Sequence, residues 1–196
     1  MTVNPARLRE IAQAAVGYLN LATQSWHGQF SFTAQRSYWA NYALSDLDTA
    51  NGGSLKVDIL LGLQDWQPES RGQEEGDYLI SVVLQQKVDR TVTADLDSLI
   101  DLVAAIADAF LIGKTFVPAW SASTAYVVGD FALLSEITYR CNTAHTNHTP
   151  PNGTYWDPVN PIMLLEKHNP ILYSPKEGDN RNKFISAIDL LFRHDK

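Results

Sequence analysis

The stretch from Tyr78 to Leu111 restricts the fold most, because its hydrophobic period changes from that of a strand to that of a helix. In its first part every second residue is apolar, which is typical of a strand with one buried face. These apolar positions are Tyr78, Ile80, Val82 and Leu84. In its second part apolar residues recur at helical spacing, at Leu96, Leu99, Ile100, Val103, Ile106 and Phe110. A strand and a helix that each have one apolar face predict a core of helix packed on sheet.

Polar residues delimit this helix and predict a second one near the N-terminus. Thr93 is a suitable N-cap for the helix that contains Leu96 to Phe110. The face opposite its apolar stripe is acidic and contains Asp97, Asp101 and Asp108. Asn4 as N-cap and Pro5 in the first turn begin the other helix, which is predicted to end near Asn20. Its apolar stripe consists of Leu8, Ile11, Ala12, Ala15 and Leu19.

Further segments have the two-residue period of strands. Lys56–Leu61 and Phe184–Phe192 alternate clearly, and Ile162–Glu166 is a shorter candidate. Gln29–Trp39 alternates as well, with Phe30, Phe32, Ala34, Arg36 and Tyr38 on one face. Arg36 is unusual in such a row and predicts the exposed end of a strand or a contact with another subunit. Together these elements predict an α+β fold, a mostly antiparallel sheet packed by two helices.

The composition changes between Phe116 and Pro161, a segment called the insert below. It has a single basic residue, Arg140, and is rich in Thr, Asn, Pro and Gly. Short strand candidates flank a turn at Ser135-Glu136, and no helical period is visible. We therefore predict a small all-β module (116–161) inserted into an α+β domain formed by residues 1–115 and 162–196.

Composition and charge favour some classes of protein over others. The formal net charge is −7, and Lys and Arg never form a run. Both features argue against a protein that binds the phosphate backbone of nucleic acids. The single cysteine excludes an internal disulfide and suits a reducing compartment. The N-terminus lacks the pattern of a signal peptide, and no apolar run has transmembrane length. We expect no membrane partner and a cytoplasmic location when the protein is made.

The sequence contains no recognisable catalytic constellation. It has no Gly-rich phosphate loop, no G-x-S-x-G, no H-E-x-x-H and no C-x-x-C. Asp95, Asp97 and Asp101 could suggest a glycosidase carboxylate pair, but their position in an amphipathic helix is typical of solvated acids. His145 and His148 lie in a segment that does not favour a helix, and no third ligand is near. We therefore predict no catalytic residue, no metal, no cofactor and no enzymatic activity.

The aromatic and turn residues of the insert follow a known pattern. Ala119-Trp120, Ala125-Tyr126-Val127-Val128-Gly129-Asp130, Thr138-Tyr139-Arg140-Cys141, Pro150 and Trp156 occur in the order and spacing of W, Y-x-x-G-D, Y-x-C, P, W. The insert thereby resembles the chitin-binding type modules of carbohydrate-binding families 5 and 12. The resemblance implies a small β module whose aromatic rings serve partly as its core and partly as surfaces for sugar rings.

The resemblance makes each aromatic residue of the insert a candidate for one of two roles. Trp120, Tyr155 and Trp156 are the candidates for carbohydrate binding, and we expect Trp120 and Tyr155 to be exposed. Tyr126 and Tyr139 are expected in the module core. Trp156 stays a candidate for either role, because a module this small has few other large apolar groups.

The remaining part of the chain resembles tail terminator and neck proteins, which join head and tail in tailed bacteriophages. The resemblance rests on element order: the N-terminal helix, the Phe-rich strand with Arg36, the strand ending in Gln85-Gln86-Lys87-Val88, the helix Leu96–Phe110, and the closing segments Ile171–Tyr173 and Phe184–Ile188. It implies a virion subunit of a homo-oligomeric, commonly hexameric ring. Its partners would be the tail tube and the head connector or stopper, with DNA passing without specific binding. The alternative function is an adhesion protein that recognises a surface polysaccharide of the host.

Overall fold

The computed structural model describes residues 5–62, 76–89, 93–112, 115–159, 162–167 and 182–194. The regular elements in chain order are α1 (Pro5–Leu19), β1 (Ala34–Ser37), β2 (Lys56–Leu61), β3 (Gly76–Lys87), α2 (Thr93–Ala109), β4 (Ala125–Tyr126), β5 (Phe131–Leu134), β6 (Ile137–Cys141), β7 (His145–Thr146), β8 (Trp156–Val159), β9 (Met163–Lys167) and β10 (Lys183–His194). The predicted N-cap Asn4 and the candidate segment Ile171–Tyr173 lie outside the described residues.

A five-stranded sheet in the order β1-β2-β3-β10-β9 forms the centre of the molecule. Only β1 and β2 run parallel, and the other pairs are antiparallel. The long β3 and β10 pair along their whole length, which places Ile80 opposite Leu190 and Val82 opposite Ile188. All four side chains are 0% exposed. The predicted α+β fold, with a mostly antiparallel sheet and two helices, is thus confirmed.

Both helices bury the apolar stripes that their sequences predict. Ile11, Ala15 and Leu19 of α1 are 0% exposed, as are Val103 and Ile106 of α2. They join the inward face of β3 and β10 in one hydrophobic cluster. The acidic residues of α2, Asp97, Asp101 and Asp108, are exposed. The described part of α2 already includes Thr93, so Thr93 is a helical residue instead of the predicted N-cap.

The strand predicted over Gln29–Trp39 is wrong in its extent. Only Ala34–Ser37 forms β1, and Phe30 and Phe32 are partly buried loop residues against the main core. The start of the predicted strand is instead held in a turn, because the N–H groups of Gln29 and Phe30 donate to the carbonyl of Trp26 (3.0 and 2.8 Å). The side chain of Asn20 pairs with Ala34, the first residue of β1: its amide N–H donates to the carbonyl of Ala34 (2.9 Å), and its Oδ1 accepts from the N–H of Ala34 (2.7 Å). Tyr38, predicted on the apolar face, is 63% exposed.

The strands of the insert form two sheets of their own. One contains β5, β6 and β8, and the other contains β4 and β7. Among the described residues, no strand of the insert belongs to the five-stranded sheet. The side chains of the insert are not separate from the rest of the protein, because Phe116, Val117 and Phe131 belong to the main hydrophobic cluster. The strands of the insert therefore pair only with one another within the described residues, but the insert shares a packing interface with α1, α2 and the sheet.

Candidate functional site

The insert has a small aromatic interior. Its buried members are Tyr126, Ala132, Tyr139, Cys141 and Trp156, and Trp120, Leu134 and Tyr155 pack around them. Tyr126 and Tyr139 are each 5% exposed, so they occupy the core positions predicted for them. The hydroxyl of Tyr126 accepts a hydrogen bond from the N–H of Ser121 (2.8 Å), which satisfies its polar end in the interior.

Trp156 also belongs to this interior. Its side chain is 1% exposed, and its ring meets that of Tyr126 edge to face at 4.9 Å. Its Nε1 donates to the carbonyl of His148 (2.6 Å). An indole ring that is 1% exposed has no free face for a sugar. Of the two roles that the sequence leaves open for Trp156, the structure places it in the core.

His148 and Tyr155 form a stacked pair of rings, called the ring pair below. Their centroids are 3.8 Å apart and their planes differ by 6°. Both side chains are half-buried, and His145 contacts each of them edge to face, at 5.4 Å and 5.1 Å. Stacking covers one face of each ring, and part of the remaining surface of the ring pair is accessible, while His145 contacts both rings. The sequence spacing of His145 and His148 had suggested only a metal-binding alternative, so sequence reasoning missed His148 as a partner of Tyr155.

Trp120 lies at another point of the module. Its backbone N–H donates to the carbonyl of Leu133 (2.8 Å), which attaches it to the end of β5. Its side chain is half-buried instead of exposed, and its Nε1 has no hydrogen-bond partner within the described residues. Trp120 and Tyr155 therefore each present part of a ring rather than a whole one.

The Y-x-x-G-D motif forms a tight turn whose geometry explains its residues. The carboxylate of Asp130 accepts from the N–H of Val127 (2.8 Å), and the N–H of Asp130 donates to the carbonyl of Val127 (3.0 Å). Gly129 has φ +98°, a conformation that disfavours residues with a Cβ. The turn leaves Val127 and Val128 exposed beside the module core.

Two ionisable side chains of the module, His145 and Cys141, have pKa values shifted in the direction that favours their neutral forms. Burial first, and the neighbouring His148 second, lower the pKa of His145. Burial raises the pKa of the Cys141 thiol, whose Sγ donates to the carbonyl of Thr143 (3.1 Å). Within the described residues no group of three or more His, Cys, Asp or Glu could hold a metal ion. Neither of the described helices is long and apolar enough to cross a bilayer.

Comparison with known families agrees with this geometry. Residues 119–161 match the model of carbohydrate-binding module family 5/12, whose span lies inside the predicted insert. The match includes no residue of the five-stranded sheet. A search of curated proteins found no match to this chain. The insert is therefore similar to the carbohydrate-binding modules of family 5/12.

Proposed function

We propose that the insert binds a polysaccharide through the ring pair, with Trp120 as a second contact. The observation that carries the proposal is the parallel stacking of His148 on Tyr155 at 3.8 Å within a segment that matches a carbohydrate-binding family. The C–H face of a pyranose packs on an aromatic ring as it does on other flat apolar surfaces. Support from His145 keeps the two rings in place, which reduces the entropy lost on binding.

Retention of the full chain on insoluble polysaccharides tests this proposal. We expect retention on at least one of chitin, cellulose or peptidoglycan, and its loss in Tyr155→Ala. The matched control is Ile137→Ala, which removes an apolar side chain that is 46% exposed on the same module. Circular dichroism should confirm that both variants are folded. The proposal fails if no glycan retains the protein, or if both variants reduce retention equally.

We further propose that the rest of the chain is a non-catalytic subunit of a ring in a tailed bacteriophage, a tail terminator or neck component. The observation that favours self-association is the pair Tyr38 and Trp39, which are 63% and 83% exposed at the end of the edge strand β1. Two adjacent exposed aromatic side chains are the kind of apolar surface that protein interfaces cover. The acidic face of α2 would suit a lumen that repels DNA phosphates.

Light scattering and negative-stain microscopy of the purified protein test the ring. We expect a closed oligomer, commonly a hexamer, that caps purified tail tubes. Trp39→Ser should shift the distribution towards monomer, whereas Ile137→Ser, which removes an exposed side chain of the insert, should not. A monomer at every accessible concentration would contradict this second proposal and leave glycan binding unaffected.

A further inference from the structure

A cleft of about 450 Å³ lies between α1, the end of β1 and the Y-x-x-G-D turn of the insert. Three guanidinium-bearing residues line it: Arg9 from α1, Arg36 from β1 and Arg140 from β6. It is called the arginine cleft below. Arg36 shares a face of β1 with the buried Ala34, and it is itself exposed where the strand ends. The position that looked unusual in the sequence thus contributes a charge to this cleft.

The charges in the arginine cleft do not cancel. Among the described residues that line it, only Glu10 has a carboxylate, which accepts from Arg7 through one oxygen (2.9 Å) and from Arg140 through the other (2.5 Å). Arg140 is also 3.7 Å from Asp157. Arg9 and Arg36, by contrast, form no ion pair within the described part of the chain. Two uncompensated guanidinium groups therefore face one cleft in a protein whose net charge is −7.

The arginine cleft borders the loop that carries the ring pair. Asn142 lines the cleft and donates its backbone N–H to the carbonyl of Tyr155 (2.9 Å). The exposed Val128 of the turn contributes an apolar side chain to the lining, and Gln13 of α1 contributes an amide. A polymer that contacts the ring pair thus has a neighbouring site that combines positive charge, a hydrogen-bonding amide and a small apolar surface.

We propose that the arginine cleft binds the oxyanion group of an acidic polysaccharide, the carboxylate of a uronic acid or the phosphate of a phosphodiester-linked glycan. This inference rests on the proposed glycan binding and specifies the class of glycan. Guanidinium groups suit both oxyanions, because their planar N–H pairs donate two parallel hydrogen bonds to either. The ring pair contacts the sugar, and Arg9 and Arg36 select the charged chains.

Calorimetric titration of the full chain at constant ionic strength tests the inference. The acidic probes are an oligogalacturonate and a glycerol-phosphate oligomer, which distinguish the two sources of the oxyanion. The neutral probes are the methyl ester of the same oligogalacturonate and a chito-oligosaccharide. We expect at least one acidic probe to bind roughly tenfold or more tightly than the neutral ones. A charge-assisted hydrogen bond that only the acidic probe can form changes Kd by about this factor.

Four variants separate the cleft from general electrostatics. Arg36→Gln and Arg9→Gln should each weaken binding of the acidic probe about tenfold and leave neutral binding unchanged. Lys56→Gln also removes one positive charge, but outside the cleft, and it should change neither acidic nor neutral binding. Glu10→Gln should strengthen acidic binding, because it releases Arg7 and Arg140 from their shared carboxylate.

Equal affinity for acidic and neutral probes would overturn the inference, and so would equal effects of Arg36→Gln and Lys56→Gln. Neutral binding that still depends on Tyr155 would then leave the proposed function intact. Conversely, acidic binding that needs Arg36 but is unaffected by Tyr155→Ala would support the cleft and contradict the ring pair.

Discussion

Trp156 is the largest fully buried side chain among the described residues, and it lies in the interior of the insert. We expect Trp156→Ala to lower the free energy of unfolding by about 3–5 kcal/mol, because it leaves a cavity and an unpaired His148 carbonyl. Urea denaturation measures the change. Ile137→Ala serves as the control and should cost less than about 1 kcal/mol, since its side chain is largely exposed. Similar costs for the two variants would show that Trp156 is not a core residue.

His145 should make stability depend on pH. Both ring nitrogens are buried without hydrogen-bond partners within the described residues, and the pKa of the ring lies below its ordinary value of 6.5. The unfolded chain therefore takes up a proton here at higher pH than the folded chain does. As a result, the free energy of unfolding falls as pH decreases below 6.5 and levels off below the folded pKa.

His145→Phe tests this linkage. The variant keeps the edge-to-face ring contacts but has no proton to bind and no unsatisfied nitrogen. We expect its free energy of unfolding to decrease less than that of the parent protein between about pH 7.5 and about pH 5. Urea denaturation across this range gives both curves. Parallel curves would mean that other groups, and not His145, cause the loss of stability in acid.

Among the elements, the β5–β6 hairpin has the clearest local strain. Its two turn residues, Ser135 and Glu136, have φ values of 51° and 65°. Positive φ at both central positions is the type I′ geometry, which favours Asn-Gly. We expect the double variant Ser135→Asn, Glu136→Gly to raise the free energy of unfolding by about 0.5–1 kcal/mol. A thermal melt detects the gain, and a lower melting temperature would contradict it.

The same elements illustrate what local patterns can predict. The period of β3 and β10 identified their buried faces, because a strand with one covered face must alternate. The turn at Ser135-Glu136 was likewise predicted from its position between two strand candidates. The start of β1 was not predictable from alternation, because it depends on the turn in which the N–H groups of Gln29 and Phe30 donate to the carbonyl of Trp26.

In the molecule as a whole, the insert and the five-stranded sheet share a packing interface. Phe116 meets the rings of Tyr18, Phe110 and Phe192 at centroid distances of 5.9, 5.5 and 5.1 Å. Phe131 of β5 is 5% exposed and packs in the same cluster. The division into two domains with boundaries at 116 and 161 stays a prediction, and this interface indicates how it can be tested.

Replacing residues 119–159 with a short Gly/Ser linker is the corresponding experiment. We expect the five-stranded sheet to fold but with a free energy of unfolding lower by at least about 1.5–3 kcal/mol, since Phe131 alone buries a large apolar side chain. Circular dichroism and urea denaturation measure fold and stability. Phe131→Ala in the full chain is the control for the shared interface. Unchanged stability after the deletion would mean that the insert is only tethered to the sheet.

Periodicity and a short motif were enough to predict both helices, the long strands and the type of module. Each of these depends on neighbours within a few residues, so the information is local. The roles of Trp156 and Tyr155 were not separable in this way, because both are large aromatic residues in adjacent positions and only packing buries one of them. The arginine cleft could not be predicted from the sequence either. Arg9, Arg36 and Arg140 are far apart in the chain, and only the packing of the insert beside α1 and β1 brings their charges to one place.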